Sequence, residues 1–406
     1  MTVANIRLCG ARTILADGES RAPLSIAGGR IHASSAGRTY RIDLRDHVIV
    51  PGLINAHEHL HLNAVPPLPT GGPFPNSYAW IAAFQSHFRN PVVVAALATP
   101  KTLRLEHGAM KNLLAGTTCV VHHDPWHPAL DAADFPVALL RDYGWAYALN
   151  WPAYGPPVRQ SFDATPSDRP WMIHLAEGTD ATAQGELAQL DSMGCLASNC
   201  VLVHGVGLRE RDIERVIESG AAVVWCPTSN RALLGRTLDP HRLHAARLLA
   251  LGSDSRLSGA RDLLDELRTV VDAHGFSPRD ALALATTDAA RILRLPQRGH
   301  LAAGAHADLL VVADHGGEAT HNAVGIGRGE IRAVVRDGVP RVTDPDFAEW
   351  FEMVGVETVA VTLDGRPKLL AKALADPALM ELEPGLELAS RIDERAREPV
   401  LAEGPC

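Results

Sequence analysis

Residues 48–62 of the chain read VIVPGLINAHEHLHL, an apolar run that leads directly into His57 and His59. Side chains alternate between the two faces of a strand, so histidines two residues apart point the same way and can bind one ion. Pro51 and Gly52 interrupt the run, and the strand then resumes up to the histidine pair. The spacing predicts metal-ligand geometry at the carboxyl end of a buried strand.

The length and charge of the chain limit the kinds of partner it can have. Its 406 residues fit one barrel of ~250 residues with a smaller β domain beside it. Apolar residues make up 46% of the chain and charged residues 21%, and the net charge of −9 includes no basic run. This balance argues against nucleic acid or an anionic membrane surface. We therefore expect a small-molecule substrate. We also expect the chain to form a homo-oligomer, with a dimer as the first choice.

The ends of the chain and its cysteines indicate a compartment. The N-terminus MTVANIRLCGARTIL lacks a basic segment followed by an apolar one, and no apolar run approaches the ~20 residues of a membrane span. A cytoplasmic location is expected. The six cysteines form no CxxC pair, which predicts reduced and mostly buried thiols. The spacing of Cys195 and Cys200 matches no common zinc knuckle.

Short predicted strands occupy both ends of the chain. Residues 1–50 contain apolar stretches broken by turns, including a Gly-Gly hairpin signal. Residues 296–345 repeat that pattern in GHLAAGAHADLLVVAD and EIRAVVRDGVPRV. Neither segment can build its own core, so we expect the two to pair into one small β-sandwich domain beside residues 51–295. Residues 346–406 are assigned to a C-terminal extension.

Helices and strands alternate in the middle of the chain. A helix predicted to begin at Thr99-Pro100 ends at Gly116, and the strand TTCVV follows it. A second helix ends at Gly220 before the apolar strand AAVVWC. Strands that are apolar on both faces and joined by helices form a parallel sheet, and a closed TIM-like (β/α) barrel is the favoured outcome.

Three further predicted strands end in polar residues. WMIHLAEG places His174 and Glu177 at its end, VLVHG ends in His204, and LLALGSDS ends in Asp254. Each of these residues alone is as well explained by a buried polar group with a backbone partner. Together with the His57 and His59 strand, in this order, they indicate a shared site at one end of the barrel.

The segments PGLINAHEHLHLN, HLAE, VHG, CPTSN, GSDS and ATTDAARILRL resemble the signature stretches of the metal-dependent amidohydrolase superfamily. The pattern is most similar to its single-metal branch, which includes cytosine, guanine and adenosine-type deaminases and triazine hydrolases. The resemblance covers nearly the whole chain to about residue 340. It implies the following roles: metal ligation by His57, His59, His174 and Asp254, proton transfer by Glu177 and Asp254, and polarisation of the substrate by His204.

The donor set implied by the resemblance suits one divalent metal, with zinc as the first choice and iron(II) as the alternative. No lysine stands at a predicted strand end where it could bridge a second ion. The expected activity is hydrolytic deamination of a small nitrogen heterocycle. A hydrolase of a cyclic amide, or of another C–N or C–Cl bond, would use the same site. A non-catalytic scaffold is the third alternative, which the intact ligand set disfavours.

The interval between TCVVHHD and HLAEG is shorter than in the family that the chain resembles. Only GWAYALNW and the proline-rich residues 151–170 occupy it, and they are too short for two full βα units. We therefore predict a barrel compressed around its third and fourth strands.

Four further residues are predicted near the pocket: His61, His122, His123 and Trp80. His61 continues the alternation of the first strand, His122 and His123 follow the second strand, and Trp80 lies in a predicted loop where it could stack on a planar substrate. Indirect support of the ligands, or core packing, is the alternative for each. Thr228 and Asn230 are predicted to be turn and cap residues.

Overall fold

The computed structural model describes residues 5–34, 39–67, 72–151 and 154–389. The strands are β1 Asn5–Cys9, β2 Arg12–Leu15, β3 Gly18–Ser20, β4 Leu24–Ala27, β5 Arg30–His32, β6 Thr39–Asp43, β7 His47–Pro51, β8 Leu53–Glu58, β9 Thr117–His122, β10 Ala138–Leu139, β11 Gly144–Ala148, β12 Trp171–Leu175, β13 Cys200–His204, β14 Ala222–Trp225, β15 Leu249–Leu251, β16 Leu309–Ala313, β17 Ala333–Arg336, β18 Val339–Thr343, β19 Thr358–Leu363, β20 Arg366–Ala371 and β21 Leu386–Leu388.

The helices are α1 Ser77–His87, α2 Pro91–Ala98, α3 Lys101–Leu114, α4 Val158–Ala164, α5 Ala181–Ser192, α6 Glu210–Ser219, α7 Pro227–Leu234, α8 His241–Ala245, α9 Leu263–His274, α10 Pro278–Leu284, α11 Thr287–Ile292, α12 Ala319–Val324, α13 Ala348–Val354 and α14 Pro377–Leu382. Short 3-10 helices occupy Leu60–Leu62, Pro128–Asp131, Arg328–Glu330, Pro345–Phe347 and Lys372–Leu374.

Strands from both ends of the chain share one sheet. Its order is β21-β19-β20-β18-β17-β16-β7-β2-β3, and β7 pairs antiparallel with β16 so that Val50 lies opposite Leu310. A second sheet of order β5-β4-β1-β6 contributes Ile6 to a buried cluster that also contains Ile49 and Leu309 of the first sheet. The larger sheet continues beyond residue 345, because β20 pairs with β18. The division of the chain into domains stays a prediction.

Eight parallel strands build the middle of the chain. They lie in two hydrogen-bonded sheets, of order β10-β9-β8 and β11-β12-β13-β14-β15. Every residue of β8, β12 and β13 is buried, as expected for parallel strands covered on both faces. Among the described residues no ladder joins β10 to β11 or β15 to β8, so the two sheets do not form a continuous closed barrel. Past β15, the Asp254 N–H donates to the His57 carbonyl over 3.1 Å.

The interval from β9 to β12 is short. β10 has two residues, and between β9 and β11, all of which is described, the only helix is the 3-10 turn Pro128–Asp131. The proline-rich residues 151–170 do contain one helix, α4, which the sequence did not predict. Ser161 ties it to its neighbours, donating to the Trp145 carbonyl over 2.5 Å and accepting from the Trp171 indole over 3.0 Å.

Helices α1 and α2 were also not predicted. Asn76 begins α1 by accepting from the Ala79 N–H over 2.9 Å, and Asn90 begins α2 by accepting from Val92. Their apolar residues show little helical periodicity, so only these caps signal them in the sequence. Residues 68–71, which precede α1 in the sequence, lie outside the described part. Because α1 carries Trp80, that side chain projects from a helix rather than from a loop.

The cysteines only partly follow the prediction of reduced thiols. Cys119, Cys195, Cys200 and Cys226 are free and buried. Cys9 is disulfide-bonded, so the prediction is wrong at that position. In the described ranges, no helix has the length and apolar character needed to cross a membrane.

Candidate metal centre and cavity

The predicted metal ligands come together at the carboxyl ends of the parallel strands. The ring centroid of His57 lies 4.8 Å from that of His59 and 4.9 Å from that of His174. Asp254, three residues past β15, places a carboxylate oxygen 3.9 Å from His59 Nε2. His204 also joins the cluster, with its ring centroid 5.5 Å from that of His57. Four elements distant in sequence therefore converge on one point.

The surroundings of His57 suit a metal ligand. Its ring is fully buried, and neither ring nitrogen has a hydrogen-bond partner among the described residues. Burial, and then the neighbouring His59, hold the pKa of His57 well below its usual range, so the ring is neutral. A buried imidazole without partners is costly unless an ion uses its lone pair. The donor set thus fits a divalent cation.

Two overlapping groups of donors include His57. In one, His57, His123 and His174 offer nitrogens that lie within 4.8 Å of one another. In the other, the possible ligand atoms of His57, His204 and Asp254 also lie within 4.8 Å of one another. His174 Nδ1 donates to the Tyr147 carbonyl over 2.8 Å, which leaves Nε2 free. All of these residues are buried.

His59 is oriented by a residue that the sequence did not single out. Its Nδ1 donates to Asp124 Oδ2 over 2.7 Å, which leaves Nε2 directed at Asp254. Burial alone lowers the pKa of His59, but the charge and hydrogen bond of Asp124 outweigh it and raise that pKa to about 9. Tyr154 donates a second hydrogen bond to Asp124, over 2.7 Å. The signal for Asp124 was its place directly after β9, in TCVVHHD.

Glu177 and His204 face each other at the site. Glu177 Oε1 lies 3.7 Å from His204 Nε2. Burial raises the pKa of Glu177, and although His204 opposes this shift, the pKa stays above its ordinary value. His204 Nδ1 donates to Asn230 Oδ1 over 2.8 Å. Asn230 therefore orients His204 and is not merely a cap residue, so that prediction is wrong.

Asp254 is held by hydroxyl groups and by an unusual backbone. Its Oδ2 accepts from Ser229 over 2.7 Å and from Ser258 over 2.8 Å. Asp254 and His204 both have positive φ, 54° and 76°, a conformation that costs non-glycine residues roughly 1–2 kcal/mol. Two of the candidate site residues therefore have strained backbones.

A cavity of about 300 Å³ opens onto the cluster. Trp80 and His61 line it. His122 and His123 are buried but are not among its described lining residues, so the structure does not bring these two to the pocket. His123 instead stacks on His174, with ring centroids 4.4 Å apart. The described lining also includes these aromatic and acidic residues: Phe84, Phe88, Tyr147, Trp151, Tyr154, Asp124, Glu177 and Asp254.

Parallel strands with polar residues converging at their carboxyl ends define an α/β fold built around a candidate metal centre. Residues 163–341 match the sequence model of the amidohydrolase family.

Three comparisons place the chain among known proteins. It is 35% identical to the 5-methylthioadenosine/S-adenosylhomocysteine deaminase of Haloquadratum walsbyi over 136 residues, 31% of this chain and only 30% of that protein. A deaminase of the same description from Nitratidesulfovibrio vulgaris is 24% identical over 365 residues, 74% of this chain and 80% of that protein. In fold, the chain is similar to a zinc-bound adenosine deaminase from Xanthomonas campestris, with a TM-score of 0.66, 19% identity and coverage of 87% and 97% of the two chains.

Proposed function

We propose that the protein is a metal-dependent hydrolase that deaminates a small nitrogen heterocycle. One observation carries the proposal. A fully buried His57, whose two ring nitrogens have no partner among the described residues, stands among His174, His204 and Asp254, beside a cavity. Such a ring needs an ion, and the cavity offers room for a planar ligand next to it. The deaminase relatives support the same class of reaction.

The proposed ligands are His57, His59, His174 and Asp254. A divalent ion in that site, zinc or in second place iron(II), would supply the Lewis acidity that makes water a nucleophile near neutral pH. His123 belongs to a neighbouring donor group and is the alternative nitrogen ligand.

Proton transfer in the proposed reaction is assigned to carboxylates. Glu177 is 7% exposed and has a raised pKa, so it can take a proton from the attacking water and give it to a ring nitrogen of the substrate. Asp254 then takes the remaining hydroxyl proton of the adduct and passes it to the exocyclic amine. The C–N bond breaks, a C=O bond remains, and ammonia leaves. His204, fixed by Asn230, directs Nε2 toward the substrate and stabilises the charge that develops.

The cavity lining supports a neutral or cationic planar substrate. Trp80, Trp151 and Tyr147 can stack on a ring, while the carboxylates of Asp124 and Glu177 repel an anionic substituent. We expect aminated purines, pterins and pyrimidines to be turned over faster than their phosphorylated or carboxylated analogues.

The finer architecture belongs to the same proposal. We infer that the eight parallel strands act as a (β/α) barrel whose wall is compressed at β10 and β11, with the two outer sheets as a β-sandwich beside it. The hydrogen bond from Asp254 N–H to the His57 carbonyl supports closure between the first and last strands. Dimeric assembly and a cytoplasmic location stay predictions.

The test is metal analysis combined with product analysis. Protein stripped with a chelator and reloaded with zinc should hold about one ion per chain and release ammonia from an aminated heterocycle. Ring opening without ammonia, or chloride release, would favour the alternative hydrolases. Stoichiometric zinc without turnover of any of these classes would favour a non-catalytic scaffold and contradict the proposal.

A further inference from the structure

A buried carboxylate of the C-terminal segment gathers one histidine and two arginine side chains. Glu383, directly after α14, is 2% exposed. It accepts from His107 Nε2 over 2.9 Å, and Arg256 donates to both of its oxygens, over 2.8 and 2.7 Å. Arg328 also donates to it. Fork-shaped pairing between arginine and carboxylate fixes geometry as well as charge.

These contacts keep the carboxylate ionised despite its burial. Burial raises the pKa of Glu383, but hydrogen bonds from His107 and Arg256 and the charge of Arg328 outweigh it and hold the pKa well below its usual range. The side chains come from α3, the loop after β15 and a 3-10 helix. Glu383 therefore links three separate parts of the chain.

One of those parts is the loop that carries a proposed metal ligand. Arg256 follows Asp254 by two residues, and its side chain is 13% exposed. The backbone N–H of Arg256 donates to Asn63 Oδ1 over 3.1 Å. Because its side chain is fixed by Glu383 and its backbone by Asn63, Arg256 holds the loop at two points.

The same network reaches the first strand of the site. Asn63 donates to Glu58 Oε1 over 3.3 Å, and Lys111 donates to Glu58 Oε2 over 2.7 Å and to Asn63 over 3.1 Å. The Glu58 and Lys111 side chains are fully buried. Glu58 stands between His57 and His59 in the sequence. A continuous set of hydrogen bonds thus joins the C-terminal segment to both ligand-bearing segments.

We propose that Glu383 is a positioning residue for the candidate metal centre, holding the Asp254 loop in register with the His57 and His59 strand through Arg256. This inference rests on the proposed function. It gives the segment after residue 345 a role at the site, although no residue described in that segment lines the cavity.

The test compares two buried ion pairs of the same segment. E383Q replaces an accepting oxygen with an N–H donor that faces arginine, so zinc retention, measured by competition with a chelator, should weaken about tenfold. The matched control is K368M, which breaks the pair of Lys368 in β20, 1% exposed, with Asp344, which directly follows β18 and lies away from the site. K368M should lower the melting temperature but leave zinc retention unchanged.

A second variant distinguishes a loss of positioning from misfolding of E383Q. R256K keeps the charge but loses the two-pronged contact, so it should weaken zinc retention in the same direction, and E383D should restore part of the E383Q loss. Wild-type retention in both E383Q and R256K, or an equal loss in K368M, overturns the positioning role alone. Wild-type protein that holds no zinc contradicts the proposed function and this inference with it.

Discussion

Two regions of the parallel-strand part of the molecule differ in regularity. One is the regular part, β12 to β15, and the other is the short interval, residues 123–170, which precedes it in the sequence. In the regular part α-helices follow β12, β13 and β14, and the strand ends deliver His174, His204 and Asp254. The short interval has a two-residue strand and supplies Asp124 and Tyr154 to the cavity. The candidate metal ligands thus come from the ends of regular strands, whereas Asp124 and Tyr154, which orient one of them and line the cavity, come from irregular chain.

The largest effect is expected from a ligand in the regular part. H174A should lose zinc and lower turnover by about 10⁴-fold, equivalent to roughly 5 kcal/mol of activation free energy. Metal analysis and ammonia release measure both. H321A is the matched control, because His321 is 64% exposed and lies on α12, outside the described cavity. Full zinc content in H174A would remove His174 from the ligand set.

Substitution of Glu177 should reduce the rate of the chemical step without reducing metal binding. E177Q keeps the shape of the side chain but cannot transfer a proton, so turnover should fall about 10³-fold while zinc content stays at the wild-type value. Steady-state kinetics and metal analysis of the same sample show whether turnover falls without a loss of zinc. A loss of activity that simply follows a loss of zinc would assign Glu177 a structural role instead.

Asp124 tests the contribution of the short interval. D124A removes the acceptor of His59 Nδ1, so we expect zinc retention to weaken about 10- to 100-fold. Y154F is the control from the same interval, since it removes one hydrogen bond to Asp124 but leaves His59 bound. Equal effects of D124A and Y154F on chelator competition would mean that the interval acts through cavity shape alone.

A pH dependence of stability is also expected within the regular part. Glu186 of α5 accepts from the Ala176 N–H over 2.6 Å, and burial raises its pKa from 4.5 to about 7. The folded chain then binds a proton more tightly than the unfolded chain, so this contribution to stability is complete below pH 4.5 and is lost as the pH rises toward 7. Between pH 4 and pH 8, the free energy of unfolding of E186Q should rise relative to that of the wild type by up to about 3 kcal/mol.

Chemical unfolding of the metal-free proteins across that range measures the difference. A constant offset between wild type and E186Q at every pH would show that Glu186 does not titrate in this window.

The candidate ligands that the structure brings together were predicted from local signals in the sequence. The alternation of His57 and His59 along one strand, and the apolar runs ending in His174, His204 and Asp254, needed only strand periodicity and position. The helices α1 and α2 were missed because single cap residues, not apolar spacing, mark them. Helix α4 was missed because it has neither a side-chain cap nor a buried residue.

Local pattern in the chain was thus enough to indicate parallel strands, a resemblance to one superfamily and the candidate ligands. Only the tertiary structure decided which polar side chains meet: Asp124 with His59, Asn230 with His204, and Glu383 with Arg256, which is 127 residues away in sequence. A buried carboxylate or amide takes whichever partner the packing brings within about 3 Å, and that distance has no counterpart in residue spacing.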